Sequence, residues 1–194
     1  PHLGVLWGQQ TLLDDLPAFK VIPAEDEPPD KFETGTPNFE GMAGATAAID
    51  YIASVGRRFG EPPGTGSRRT EIVNGLVGIR AYEQLLTKRL IDGLQKLRGV
   101  RIYGITDPGR SQERLPVVSF VMEGRSPEAI ARYLDDRALF VWHGDFYAVH
   151  LVERLGLADT GGLVRVGINH YNTGSEVDRL LDALDEIASI PTVG

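Results

Sequence analysis

Arg165 is the one charged residue in the run Leu163-Val164-Arg165-Val166-Gly167-Ile168. Val164, Val166 and Ile168 share one side of a strand by its period of two, so the guanidinium points to the other side. A guanidinium buried alone is costly, and an arginine in this setting calls for a carboxylate or phosphate to pair with. Taken by itself, the strand fits a structural ion pair or a solvated sheet face better than a ligand clamp. Thr34-Gly35-Thr36-Pro37-Asn38 places two hydroxyls and a glycine ahead of a helical pattern. Such a turn can hold an anion at the helix N-terminus, and more commonly it only turns and caps the chain. His143, Asp145 and His150 fall within eight residues, but no paired-His helix motif and no cysteine joins them, so no metal is expected. Trp142 and Tyr147, beside His143, fit either a pocket lining or the packing of a small sheet. Gly64-Thr65-Gly66-Ser67 lacks the Lys-Ser or Lys-Thr of a phosphate loop, and no Gly-x-Ser-x-Gly marks a hydrolase nucleophile.

The elements that must position these residues are legible as patterns. Residues 3–7 read as a buried strand, residues 9–16 as a short helix stopped by Pro17, and residues 18–30 as a solvated proline-rich loop. A helix is expected over residues 38–55, with Met42, Ala45, Ile49, Ile52 and Ala53 as its packing stripe. After a connection over residues 56–69, a long amphipathic helix runs to about residue 97. Ile72, Leu76, Ile79, Leu86, Leu90 and Leu97 are its expected buried side, with Glu83, Lys88, Arg89 and Lys96 in solvent. Gly75 and Gly78 inside it suggest a kink or a tight neighbour. Beyond Gly99 the pattern changes to strands at residues 100–103, 116–122, 139–143 and around Arg165. Helices follow Ser126-Pro127-Glu128, span residues 146–155, and close the chain over residues 174–189 behind a Thr173/Glu176 capping box. The sum is an α+β domain, with helices on one face of a small sheet.

The chain has 194 residues, a net charge of -7 and no cysteine. The charge argues against a nucleic-acid or polybasic membrane partner. The missing thiols exclude disulfides, thiolate metal sites and a cysteine nucleophile. No run reaches the roughly 18 apolar residues of a membrane span, and a cytoplasmic location is the default expectation. The sequence opens on Pro1 and passes directly into an apolar segment, which reads as a piece of a longer polypeptide.

Four stretches, in order, resemble the C-terminal half of the class V aminotransferase group, the cysteine-desulfurase-like branch of the fold-type I pyridoxal-phosphate enzymes. They are Pro1-His2-Leu3-Gly4-Val5-Leu6-Trp7, Phe32-Glu33-Thr34-Gly35-Thr36-Pro37-Asn38, Val141-Trp142-His143-Gly144-Asp145-Phe146-Tyr147, and Leu163-Val164-Arg165 through Tyr171-Asn172-Thr173. The resemblance implies an α/β parent fold. Residues 1–69 would be the end of its large cofactor-binding domain, residues 70–98 a linking helix, and residues 99–194 the small C-terminal α+β domain. It implies a homodimeric enzyme that uses pyridoxal 5'-phosphate on an amino-acid substrate, an aminotransferase or related lyase. Arg165 would hold the substrate α-carboxylate. Thr36, with Gly35 beside it, would line the cofactor phosphate pocket across a dimer interface. Trp142, His143 and Tyr147 would shape the substrate side-chain pocket. Tyr147 stands where desulfurases of the group carry their cysteine, so persulfide chemistry is not expected. None of Lys20, Lys31, Lys88 and Lys96 fits the cofactor-bearing lysine, which the resemblance places before Pro1, so the chain alone is expected to be inactive. The alternative is a non-catalytic domain that keeps the fold for dimerisation or partner binding.

Overall fold

The computed structural model describes residues 2–60 and 66–191. Gly64 and Thr65 of the rejected phosphate-loop motif lie outside them. The chain divides into two compact units, Pro1–Leu76 and Val77–Gly194. The division falls inside one continuous helix.

In the first unit, α1 (Gln10–Asp15) ends before Pro17. Lys31 caps its C-terminal end, donating from Nζ to the carbonyls of Leu13 at 3.0 Å and Asp14 at 2.6 Å. A cation there satisfies carbonyls that have no partner within the helix. Helix α2 (Phe39–Phe59) starts at Asn38, whose Oδ1 accepts the Gly41 N–H at 2.8 Å. It packs against the start of α3 (Arg68–Leu94) at a crossing of small residues. A Cβ on Gly56 would overlap the Glu71 carbonyl, and one on Gly75 would overlap the carbonyl of Ile52. Ala53 is fully buried between the same turns. Salt bridges Arg57–Glu71 at 2.7 Å and Asp50–Arg68 at 2.6 Å flank the contact.

Several expectations fail in this unit. Residues 3–7 form no strand, and Val5, Leu6 and Trp7 are 84%, 90% and 82% exposed. A strand needs a neighbour for its backbone groups, and among the described residues this unit contains none. Helix α2 runs four residues past Val55, because Gly56 is a packing position there and does not break the helix. Met42, Ile49 and Leu76 are exposed, since the small residues and not the large ones make the α2–α3 contact. Gly75 has the tight neighbour expected of it, whereas Gly78 faces open space.

The second unit is built on a four-stranded antiparallel sheet in the order β1-β2-β4-β3. The strands are β1 (Val100–Tyr103), β2 (Val117–Met122), β3 (Trp142–Gly144) and β4 (Leu163–Gly167). Val118, Phe120 and Met122 of β2 and Val164 and Val166 of β4 are buried on one face. That face is covered by Leu86, Leu90, Ile91 and Leu94 from the second half of α3, Ile130 and Leu134 from α4 (Pro127–Asp135), and Val177, Leu180, Leu184 and Ile187 from α6 (Gly174–Ser189). The helices thus lie on one side, as the alternation of β2 and β4 requires. Ser126 caps α4 with Pro127 in its first turn. The short α5 (Val149–Arg154) connects β3 to β4.

Here too the boundaries shift. Strand β3 begins at Trp142 and not at Leu139, because Ala138 takes a left-handed turn at φ 55 and the Leu139 N–H bonds back to the Leu134 carbonyl at 3.0 Å. Helix α5 starts three residues later than expected, since Phe146 and Tyr147 are left-handed. Glu83 is only 14% exposed at its side chain and lies 3.8 Å from His170, so it is not a solvent residue. Among the described residues, no helix is long and apolar enough to cross a membrane.

The glycine crossing makes a direct prediction. Gly56→Ala gains about 1 kcal/mol of helix propensity but forces α2 away from α3, an overpacking cost of about 1–3 kcal/mol. Chemical denaturation followed by circular dichroism should therefore find Gly56→Ala less stable than wild type. Gly78→Ala, which meets nothing, should be neutral or more stable.

Candidate functional site

The face of the sheet opposite the core carries Arg165. In register, Arg165 pairs with Ser119 on β2 and with Trp142 on β3, and Ser119 pairs with Tyr103 on β1. Residues paired across strands point to the same side, so Tyr103, Ser119, Arg165 and Trp142 form one row across the sheet. Arg101 joins this face beside Tyr103, with its guanidinium 5.0 Å from the Tyr103 ring centroid. Arg165 is exposed, and among the described residues no carboxylate pairs with it. Its side-chain partner is Phe146, whose ring centroid lies 4.3 Å from the guanidinium carbon. Of the two structural alternatives the sequence left open, the solvated sheet face is the one found, with a cation–π contact in place of an ion pair. An exposed guanidinium keeps its hydration, so the burial penalty that called for a counter-charge never arises.

The turn that delivers Phe146 is built locally. Gly144 is at φ 115, Phe146 at φ 56 and Tyr147 at φ 62. The Ala148 N–H closes the turn on the Asp145 carbonyl at 2.8 Å, and the Asp145 side chain accepts the Tyr147 N–H at 2.9 Å. On its other side the turn abuts the start of β4. A Cβ at Gly162, itself at φ 82, would overlap the Gly144 carbonyl, so only glycine lets the two backbones approach this closely.

The sequence-derived candidates fall in different places. Trp142, 65% exposed, stands next to Arg165 on the same face. Tyr147 is fully exposed at the tip of the turn. His143 follows Trp142 on the strand and pairs with buried Val164, so it lies on the opposite, helix-covered face. There its charge adds in a minor way to the lowering of the Glu128 carboxyl, which is held down chiefly by its hydrogen bond and ion pair with Arg132. Gly35 and Thr36 belong to the first unit. Gly35 is left-handed at φ 84 with open space where a Cβ would stand, and Thr36 is exposed. The cap of α2 is Asn38 and not Thr36. His150 pairs with Glu153 at 3.2 Å, and among the described residues no group of three or more His, Cys, Asp or Glu is arranged to hold a metal. Sequence reasoning missed Phe146. An aspartate ahead of two aromatics gives a faint turn signal, but nothing local says which strand the ring will meet.

The loop after β4 is pinned to α3. Tyr82 donates from its hydroxyl to the Asn172 carbonyl at 2.9 Å, and the Asn169 and Asn172 side chains bond within the loop. Thr173 then caps α6. Its Oγ1 accepts the Glu176 N–H at 3.3 Å, and its own N–H donates to the Glu176 carboxylate at 2.6 Å. Arg89 on α3 clasps Asp178 through two N–H donors.

Comparison with known proteins agrees with this architecture. The "Aminotransferase class-V" family matches residues 73–180, from within α3 into α6 and across the whole sheet. The chain belongs to the class V aminotransferase family. A probable cysteine desulfurase of Streptomyces coelicolor is 30% identical over 200 residues, covering 95% of this chain and 41% of that protein. A probable cysteine desulfurase of Methanothermobacter thermautotrophicus is 31% identical, covering 84% of this chain and 35% of its own length. Among solved structures, the apo cysteine desulfurase of Thermococcus onnurineus is 33% identical with a TM-score of 0.67, over 84% of this chain and 34% of that one. The cysteine desulfurase CsdA of Escherichia coli shares the fold at 23% identity, with a TM-score of 0.65 over 93% of this chain and 41% of that one. The chain thus spans about two fifths of the length of the curated relatives it matches.

The capping box yields a pH prediction. The Thr173 backbone N–H and hydroxyl hold the Glu176 carboxyl below its ordinary range. A carboxylate whose pKa is lowered on folding stabilises the fold at pH above its unfolded value, and the contribution is lost as pH falls through the folded value. Glu176→Gln, which removes the carboxylate itself, should lower the thermal midpoint at neutral pH, and the gap to wild type should narrow below about pH 4. A gap that stays constant through that range would show that the Glu176 charge takes no part in it.

Proposed function

We propose that this chain is the C-terminal part of a pyridoxal-phosphate-dependent enzyme that acts on an amino acid, an aminotransferase or related lyase. The observation that carries the reading is Arg165, a guanidinium held on a strand, exposed and, among the described residues, paired with no carboxylate, on a face ready to receive one. Two parallel N–H donors on a planar fork suit the two oxygens of an α-carboxylate. In this reading residues 1–69 close a large cofactor-binding domain, residues 70–98 form the connecting helix, and residues 99–194 are the substrate-holding domain.

The residues present fit the anionic ends of cofactor and substrate. Gly35, left-handed and open, lets backbone N–H groups approach a phosphate, and the exposed Thr36 hydroxyl can donate to it. We place that phosphate on the partner subunit of a homodimer. The cofactor, when bound, supplies an electron sink for breaking a bond at the amino acid's α-carbon. This chain's own work is to orient the substrate. Arg165 fixes the carboxylate, Trp142 beside it bounds the side-chain region, and Tyr147 reaches in from the turn. His143, expected from the resemblance to line this pocket, lies on the other face of the sheet and takes no part in it.

The relatives are named cysteine desulfurases, but this chain has no cysteine. Sulfur transfer through a persulfide on its own side chains is therefore not the proposed reaction. Nor do its lysines suit covalent attachment of the cofactor. Lys20 is engaged with Asp26 and the Ala24 carbonyl, Lys31 with the end of α1, and Lys88 with Asp92. Lys96 sits just past the end of α3, exposed.

Two outcomes test the reading. In the intact enzyme, Arg165→Ala should raise KM for its amino-acid substrate by about 10- to 150-fold, the worth of charge-assisted hydrogen bonds, with cofactor absorbance retained. An unchanged KM would remove Arg165 from the site. The 194-residue chain mixed with pyridoxal phosphate should form no single borohydride-reducible lysine adduct and should turn over no amino acid. A specific adduct with turnover would place the chemical half of the site within this chain.

A further inference from the structure

We infer that Phe146 is the positioning residue of the carboxylate clamp: its ring holds the Arg165 guanidinium by one face and leaves the donor edge free for a ligand. The inference rests on reading Arg165 as a carboxylate clamp. Four observations converge on it. The guanidinium carbon lies 4.3 Å from the ring centroid, within the range where the ring quadrupole attracts a cation. Among the described residues no hydrogen bond or ion pair orients the guanidinium otherwise, so the ring is what restrains a long and rotamer-rich side chain. The turn that carries the ring holds two successive non-glycine residues left-handed, Phe146 at φ 56 and Tyr147 at φ 62. L-residues avoid that conformation, and it persists where surrounding contacts impose it, typically at ligand clamps. Finally, Phe146 is only half-buried and is not part of the hydrophobic core cluster, so core packing does not explain why the turn is maintained.

The arrangement also explains the asymmetry around Arg165. The guanidinium carbon sits over the Phe146 ring, Trp142 and Ser119 stand on the neighbouring strands, and among the described residues no acceptor takes the guanidinium N–H groups. An aromatic ring accepts no conventional hydrogen bond from the guanidinium's edge donors, so the ring orients the clamp without competing for the ligand. A carboxylate in this position would have been selective for Arg165 but would have neutralised it. An aromatic ring holds the charge in place and leaves it available.

The test uses the intact enzyme labelled with 15N and 13C in arginine, with the Arg165 Nε–H signal assigned through Arg165→Lys. In wild type that signal should be displaced by the ring current and should show restricted side-chain motion. In Phe146→Leu it should collapse to the position of a free arginine, while Phe146→Tyr and Phe146→Trp keep it displaced. Unchanged signals from the core residues Phe120 and Val164 establish that each variant remains folded. L-alanine is then titrated against L-alaninamide, which lacks the carboxylate. The Arg165 signal should respond to L-alanine alone, and Phe146→Leu should weaken that response roughly 2- to 30-fold, the range of a cation–π contact. An Arg165 signal in Phe146→Leu identical to wild type overturns the role of Phe146. A wild-type signal indifferent to L-alanine overturns the clamp reading itself, and the role of Phe146 with it.

Discussion

The register of β4 is the constraint on which the rest of the second unit depends. Val164 and Val166 lie on the core face between β2 and β3, and Arg165 between them on the other. A slip of one residue would drive the guanidinium into the apolar layer beneath α4 and α6 and expose the two valines. Both changes are unfavourable, so burial fixes the strand and, through it, the address of the arginine. The same register sets Trp142 opposite Arg165 and sends His143 to the other face. The selection of site residues on β3 is thus a consequence of core packing on β4.

Much of this was legible in the sequence because it is local or periodic. The alternation of β2 and β4 gives their inner faces, the Thr173/Glu176 pair marks the start of α6, and Ser126-Pro127 marks the start of α4. What was not legible depends on partners distant in sequence. Residues 3–7 have the composition of a buried strand, but composition supplies no neighbour, and they lie exposed without one among the described residues. Gly56 reads as a helix breaker in isolation, yet it is the closest point of the α2–α3 crossing, whereas Gly78, equally unusual, meets nothing. Local propensity cannot separate these two glycines, since only the path of the other helix distinguishes them.

The site itself divides along the same line. The sequence indicates that Arg165 needs an explanation, because an arginine among valines has a definite physical cost if buried unpaired. It cannot say how that cost is avoided. The sheet avoids it by leaving one face open, so the arginine is never desolvated, and by bringing in an aromatic ring instead of a carboxylate. The ring comes from a turn whose two left-handed residues no propensity scale would assign to phenylalanine and tyrosine. Of the three left-handed non-glycine residues among the described residues, Ala138 only turns the chain after α4, whereas Phe146 and Tyr147 are consecutive and lie where the candidate site is.

Exposure also bounds what Arg165 can do by itself. An ion pair in full solvent is worth roughly 0–1 kcal/mol, too little to select one ligand. A carboxylate clamp of useful strength therefore requires that water be excluded around the guanidinium when the ligand arrives. Phe146 already removes water from one face of the group. Trp142, paired with Arg165 on the adjacent strand, and Tyr147, at the tip of the same turn, are large and exposed. Their apolar surface is of little benefit to the chain while it faces solvent, but it gains free energy when a ligand covers it. The aromatic content of this face and the charge at its centre are thus one arrangement, in which covering the aromatics strengthens the pairing of the arginine.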